Sequence, residues 1–159
     1  KVNKIQENVL RIGYENVQCK VLDGTCPDPE WNNLADVVIA DVPCSGLGII
    51  GRKPDIKYNI TEEMMESLVD LQRQIVTQAV AYMKPDGVMM YSTCTLNPAE
   101  NKDQVAWMVE HLGVTLESLD DYLPETLRNT QTRDGMLQIL PGIQKSDGFF
   151  LARLKKSSK

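Results

Sequence analysis

Two cysteines sit in settings where a thiol could act chemically. One lies in "ADVPCSGLG", residues 40–48, where Cys44 follows an apolar run that ends in Asp41. The other lies in "YSTCTLNPAEN", residues 91–101, where Cys94 stands between two threonines just before a Pro-containing helix start. A thiol is a nucleophile only as thiolate, and moving a free Cys from a pKa of about 8.5 to about 7 takes roughly 2 kcal/mol. A helix opening at Asn97 would supply on the order of 0.3–1 kcal/mol of that. A second group, or general-base help on binding substrate, has to complete the activation. Cys19 and Cys26 show no such setting and read as structural. With no CxxC and only His111 as an imidazole, a zinc site is not expected.

The elements that must position these groups follow from periodicity. Residues Lys4 to Ile12 carry Ile5, Val9 and Ile12 at helical spacing, with Gly13 as a stop. "NVQCKVLDGT" reads as a short strand ending at the Asp23-Gly24 turn. "ADVVIADVP" reads as a strand buried on both faces, as in a parallel sheet. A loop rich in Gly and basic residues, with Arg52, Lys53 and Lys57, follows it. From Thr61, a plausible N-cap, to Met83 the apolar stripe Met64, Leu68, Leu71, Ile75, Ala79 and Met83 predicts a long helix. "VMMYST" is the next buried strand, and Asn97-Pro98-Ala99-Glu100 opens another helix running to His111. Strands near 114–118 and 136–140 and a final "GFFLARLK" complete the order, with a polar tail from Lys155 expected to fray. The Met64-Met65 and Met89-Met90 pairs read as core filling.

This alternation predicts an α/β domain over residues 1–156, mainly a parallel sheet with helices on both faces, with 157–159 as tail. Ligands in such sheets bind beyond the carboxyl ends of the strands. Asp23, Asp41, Cys44 and Cys94 all fall there, on one rim. The net charge of −5 makes the chain alone a poor electrostatic trap for nucleic acid. No apolar run approaches a membrane span, and the sparse cysteines fit the reducing cytoplasm. The start, without a Met and within a helical pattern, suggests a fragment of a longer protein.

"DVPCSGLG" and "YSTCTLNPAEN", with "RKPDIKY" between them and "DGFFLARLKK" at the end, resemble the signature segments of the RNA 5-cytosine methyltransferases. Within that family the likeness is greatest to the bacterial 16S rRNA group known as RsmB, Sun or Fmu, and it covers Lys4 to Lys156. The resemblance implies a Rossmann-like fold dependent on S-adenosylmethionine. It implies Cys94 as the nucleophile toward carbon 6 of a cytosine and Cys44 as the thiol that assists breakdown of the adduct. Asp41 would stabilise or protonate the ring at N3 and border the methyl donor, and Asp23 would lie near the adenine end of the cofactor. Arg52, Lys53 and Lys57 would contact RNA phosphates; a solvated basic loop is the alternative reading for them, as a simple turn is for Asp23.

The family's Gly-rich cofactor loop and the acid ending the next strand are not found in the chain; both are expected upstream of residue 1, together with an N-terminal RNA-binding domain. The first strands being missing, "VQCKVLD" is expected to lack neighbours and to leave an apolar sheet edge open to self-association, and the cofactor pocket is expected to be incomplete. Ribosomal RNA is the implied partner. A tRNA substrate, a non-catalytic α/β binding module and a thiol hydrolase are the alternatives, the last weakened because His111 lies outside both motifs.

Overall fold

A computed structural model describes residues 2–158. Helix α1 (Val2–Ile12) is followed, beyond Gly13 at φ 82°, by an extended stretch and then β1 (Ala35–Asp41). A single 3-10 turn, Leu47–Ile49, and the short α2 (Ile56–Asn59) lead to the long α3 (Glu62–Tyr82). Then come β2 (Met83–Thr93), a 3-10 turn Pro98–Glu100, α4 (Lys102–His111) and β3 (Val114–Leu116). The chain closes with α5 (Thr130–Arg133), β4 (Met136–Ile139) and β5 (Phe149–Lys156).

The sheet order is β1-β2-β5-β3, with β4 also pairing β5. The α/β class holds, but the sheet is mixed. β1 and β2 run parallel, joined by the α3 crossover, whereas β5 is antiparallel to β2, β3 and β4. The expectation of a mainly parallel sheet therefore holds for the pair that carries the two cysteines and fails for the C-terminal half. β5 is the strand that runs against the others, and the short connection from β4 to β5, residues 140–148, permits only an antiparallel return.

Packing explains which strand faces are buried. Val76, Ala79 and Val80 of α3 and Val105 and Met108 of α4 join Ala40, Met89, Tyr91, Ala152 and Leu154 in one core on one sheet face. Helices α3 and α4 thus share a face rather than sandwiching the sheet. Leu119 and Leu137 form a smaller buried pair of sites outside that core. Thr61 caps α3 by accepting the Met64 N–H at 3.2 Å, as expected. The buried register of α3 is displaced from the predicted stripe, however. Gln72, Val76, Ala79 and Val80 point inward, whereas Met64 is exposed and Leu68 and Leu71 are half-buried beside an open groove. Met89 is core, as expected; Met64 is not.

Three further expectations are corrected. Residues 14–22 form no strand; Val17, Val21 and Leu22 are exposed, and the stretch pairs with none of the strands. β1 is not covered on both faces: Val37 is 63% and Ile39 77% exposed. The basic loop is partly helical, through its 3-10 turn and α2. The tail is also held farther than expected. Ser157 N–H donates to the Gly113 carbonyl at 3.0 Å, and Ser158 Oγ donates to Asp86 at 2.7 Å. Lys1 and Lys159 lie outside the described residues.

Candidate active site

β1 and β2 are parallel neighbours in register, with Asp41 opposite Ser92. Both chains therefore leave the sheet at the same level, and the loops that follow carry Cys44 and Cys94. The two sulfurs lie 3.1 Å apart, both cysteines free and half-buried, across 50 residues of sequence. The Cys94 backbone N–H also donates to Cys44 Sγ at 3.3 Å. Burial, reinforced by the Cys94 contact, pushes the Cys44 thiol up from 9.0 to about 12. Cys44 therefore holds its proton at neutral pH and can donate it toward Cys94 Sγ.

The helix start contributes less than its sequence suggests. Asn97 does cap, accepting the Ala99 N–H at 3.1 Å, but it caps one 3-10 turn. The chain breaks at Asn101 (φ −111°, ψ −102°) and α4 begins only at Lys102. The break has a visible cause. Asn101 accepts from Thr93 Oγ1 at 2.6 Å and donates to the Thr95 carbonyl at 3.0 Å and to Gln138 at 2.9 Å, which holds it off the helical path.

Glu100 is fully buried. Its carboxylate accepts four bonds: from Ser45 N–H (2.9 Å), Ser45 Oγ (2.5 Å), Gln72 Nε2 (2.9 Å) and Asn97 Nδ2 (3.0 Å). Gln72 also donates to the Pro43 carbonyl at 2.9 Å, and Tyr91 OH donates to the Glu100 carbonyl at 2.7 Å. Burial and the nearby Glu100 charge push the Tyr91 phenol upward, so it remains a donor. A second clamp is steric. Gly48 N–H donates to the Cys94 carbonyl at 3.0 Å, and Gly148 N–H donates to the Gly48 carbonyl at 2.8 Å. A Cβ on Gly48 would stand 2.3 Å from the Gly148 oxygen.

The remaining predicted groups spread outward from this centre. Asp41 is exposed at the strand end, where Ser92 Oγ donates to it at 2.9 Å. It lines an open groove of about 250 Å³ that runs along β1 and α3 to Gly24. Asp23 is exposed and closes a turn, accepting from Thr25 N–H at 3.0 Å and Thr25 Oγ1 at 2.7 Å; these bonds lower its carboxyl pKa. Of the basic residues, Arg52 is paired with Asp147, and Lys57 lies 4.7 Å over the Tyr58 ring. Lys53 lines a groove of about 380 Å³ whose wall includes Ser45 and Asn59. His111 bonds the Trp107 carbonyl at 2.9 Å and stacks on its ring, so it is engaged on α4.

The sequence model of the family described as 16S rRNA methyltransferase RsmB/F matches residues 1–155. The chain belongs to the RsmB/F family. Among its relatives, ribosomal RNA small subunit methyltransferase F of Serratia proteamaculans is 35% identical over 98% of the chain. The protein of that name from Aliivibrio fischeri is 38% identical over 99%. The chain spans about a third of the length of each, 33% and 34%. Two solved structures from Pyrococcus horikoshii are similar. NSun6 with SFG has a TM-score of 0.76 at 27% identity, covering 99% of this chain and 38% of that one. A methyltransferase homologue has a TM-score of 0.76 at 25% identity, covering 98% and 51%. The α/β sheet is thus the RsmB/F methyltransferase fold. No helix among the described residues is long and apolar enough to cross a membrane.

Within this RsmB/F chain, Glu100, Gln72 and Gly48 are the residues that motif reading passes over. Glu100 reads as an ordinary capping glutamate three residues after Asn97. A glutamine on the predicted inner side of α3 is the available signal for Gln72.

Proposed function

We propose that this chain carries the thiol pair of an enzyme that methylates carbon 5 of a cytosine in 16S rRNA through a covalent cysteine–cytosine adduct. The sulfur–sulfur distance of 3.1 Å supports this reading best. One covalent bond has to be made and later broken at the same pyrimidine, and two thiols in contact can divide that work. Cys94 attacks carbon 6 and raises electron density at carbon 5. Asp41, oriented by Ser92 Oγ, hydrogen-bonds or protonates N3 and offsets the charge made by the attack. Cys44 keeps its proton throughout. Once carbon 5 is methylated its proton passes to solvent, the carbon 5–carbon 6 double bond re-forms as the carbon 6–sulfur bond breaks, and any proton on N3 returns to Asp41. Cys44 assists by donating its S–H to the departing Cys94 thiolate, 3.1 Å away.

S-adenosylmethionine, when bound, supplies the methyl group. The groove from Gly24 to Asp41 fits one wall of such a site, with Asp23 beside it toward the adenine end. The other wall belongs, in this proposal, to the remainder of the longer protein, which pairs with the free edge of β1 and brings the RNA-binding part. Lys53 reaches RNA from the groove beside Ser45, with Arg52 and Lys57 as outer contacts. The reducing cytosol keeps both thiols free.

The test is made in the full-length enzyme. Cys94→Ala should abolish methyl transfer and leave no adduct, whereas Cys44→Ala should let a covalent RNA–protein species build up on denaturing gels. Normal turnover by Cys44→Ala, without an adduct, would refute the division of roles.

A further inference from the structure

We propose that Glu100 is the positioning residue of the thiol pair, a role that rests on the reading above and deepens it. The loops carrying Cys44 and Cys94 share no covalent link, and each has only short-range structure of its own. Beside the Gly48–Cys94 backbone bond and the contacts of the sulfurs themselves, what joins them is the Glu100 carboxylate, which takes both polar groups of Ser45, the residue after Cys44, and the amide of Asn97, three residues after Cys94. Gln72 ties the same carboxylate to α3 and to the Pro43 carbonyl, the residue before Cys44. Three elements that converge on the sulfurs are thus anchored at one buried group.

The chemistry of the anchor suits a carboxylate and nothing else. All four partners are donors, and both carboxylate oxygens receive two of them. A glutamine of the same shape must turn its NH₂ toward one of those pairs: toward Ser45 N–H and Gln72 Nε2 it makes two donor–donor contacts, and toward Ser45 Oγ and Asn97 Nδ2 at least one. Ser45 Oγ is further fixed by Thr95 Oγ1 at 2.6 Å, which carries the link to the residue beside Cys94. Charge-assisted bonds in a dry site are the strong ones, and their geometry is transmitted to the loops rather than absorbed by water. Glu100 has no polar contact with either sulfur, so its effect on catalysis passes through their separation.

The experiment measures that separation directly, in the full-length enzyme with Cys19, Cys26 and every other cysteine outside the pair changed to Ser, so that the pair alone reports. Dibromobimane-type bifunctional reagents bridge two thiols only when both are within reach, and the bridged fraction is read by mass spectrometry. Glu100→Gln should slow bridging about tenfold, the worth of one to two buried bonds, and lower kcat in RNA methylation by a similar factor with KM for RNA unchanged. Glu100→Asp, which keeps the charge but shortens the reach, should fall between the two. Ser45→Ala, which removes the Oγ bond and keeps the backbone one, should slow bridging about threefold and decides the matter if Glu100→Gln does not fold. Bridging within twofold of the parent in folded Glu100→Gln, or in folded Ser45→Ala if that is the variant at hand, overturns the proposal. Slowed bridging in a protein that never methylates cytosine leaves Glu100 as the positioning residue and overturns the reaction assignment instead.

Discussion

Replacing Gly48 by Ala tests whether the two cysteine loops are held together by contact across the sheet end. The added Cβ would meet the Gly148 carbonyl oxygen at 2.3 Å and the Cys94 carbonyl oxygen at 2.8 Å, both backbone atoms that cannot swing aside. Relief requires separating Gly48 from both neighbours, which breaks the 3.0 Å bond to Cys94 and the 2.8 Å bond from Gly148. Two such bonds contribute about 1 kcal/mol each, and forced repacking adds about 1–3 kcal/mol, so a loss of about 3–5 kcal/mol is expected. For a urea slope of about 2 kcal/mol/M, the midpoint falls by roughly 2 M at unchanged slope. Gly51 supplies the control. Nothing lies within 4 Å of a Cβ built there and its φ is not positive, so Gly51→Ala should be neutral or add about 0.4–1 kcal/mol. Equilibrium urea unfolding of both variants followed by circular dichroism makes the comparison. A Gly48→Ala loss under about 1 kcal/mol would show that the loops are not clamped at this point.

The Cys44 thiol should be the last to ionise in an alkaline titration followed by thiolate absorbance, near pH 12, and Cys44→Ser should delete that step alone. Its folded pKa lies above the unfolded value, so the associated stability is complete below about pH 9 and is lost as pH rises through about 12; the variant should lack this alkaline decline. The 159-residue chain by itself should bind S-adenosylmethionine weakly or not at all by calorimetry, since only one wall of the groove is present, and micromolar binding would contradict this. Neutralising Arg52, Lys53 and Lys57 in the full-length enzyme should flatten the salt dependence of RNA binding, by about 0.7 in log–log slope for each phosphate that no longer meets a cation. Because Arg52 is already paired with Asp147, Lys53 should account for the largest share.

The parts of the fold legible in the sequence are those encoded locally. The apolar runs around Val38, Met89 and Phe150 mark strands, Thr61 and Asn97 mark caps, and Cys44 and Cys94 stand out because their segments are alike. What stays hidden depends on partners far away in the chain. The contact between Gly48 and Gly148 joins residues with nothing between them to announce it. Glu100 has the spacing of a local capping residue, and only tertiary structure turns it toward Ser45 and Gln72. Residues 17–22 have strand composition but pair with no strand, and composition alone does not supply a partner. The α3 stripe misses because Gln72, polar and therefore discounted, faces inward with its amide satisfied by Pro43 and Glu100.

The in-register pairing of β1 with β2 has a consequence for how the chain tolerates change. Along β2, Met89, Tyr91 and Thr93 are all fully enclosed, while Val88 and Met90 are only half covered. Alternation has a period of two, so inserting one residue between Val88 and Thr93 exchanges these sets and swings everything downstream through half a turn. Cys94 would then leave the sheet facing away from Cys44. Length changes should be accepted near Gly51, where nothing lies within 4 Å of a built Cβ, and refused between Val88 and Thr93, a span that acts as a ruler for where the second sulfur emerges.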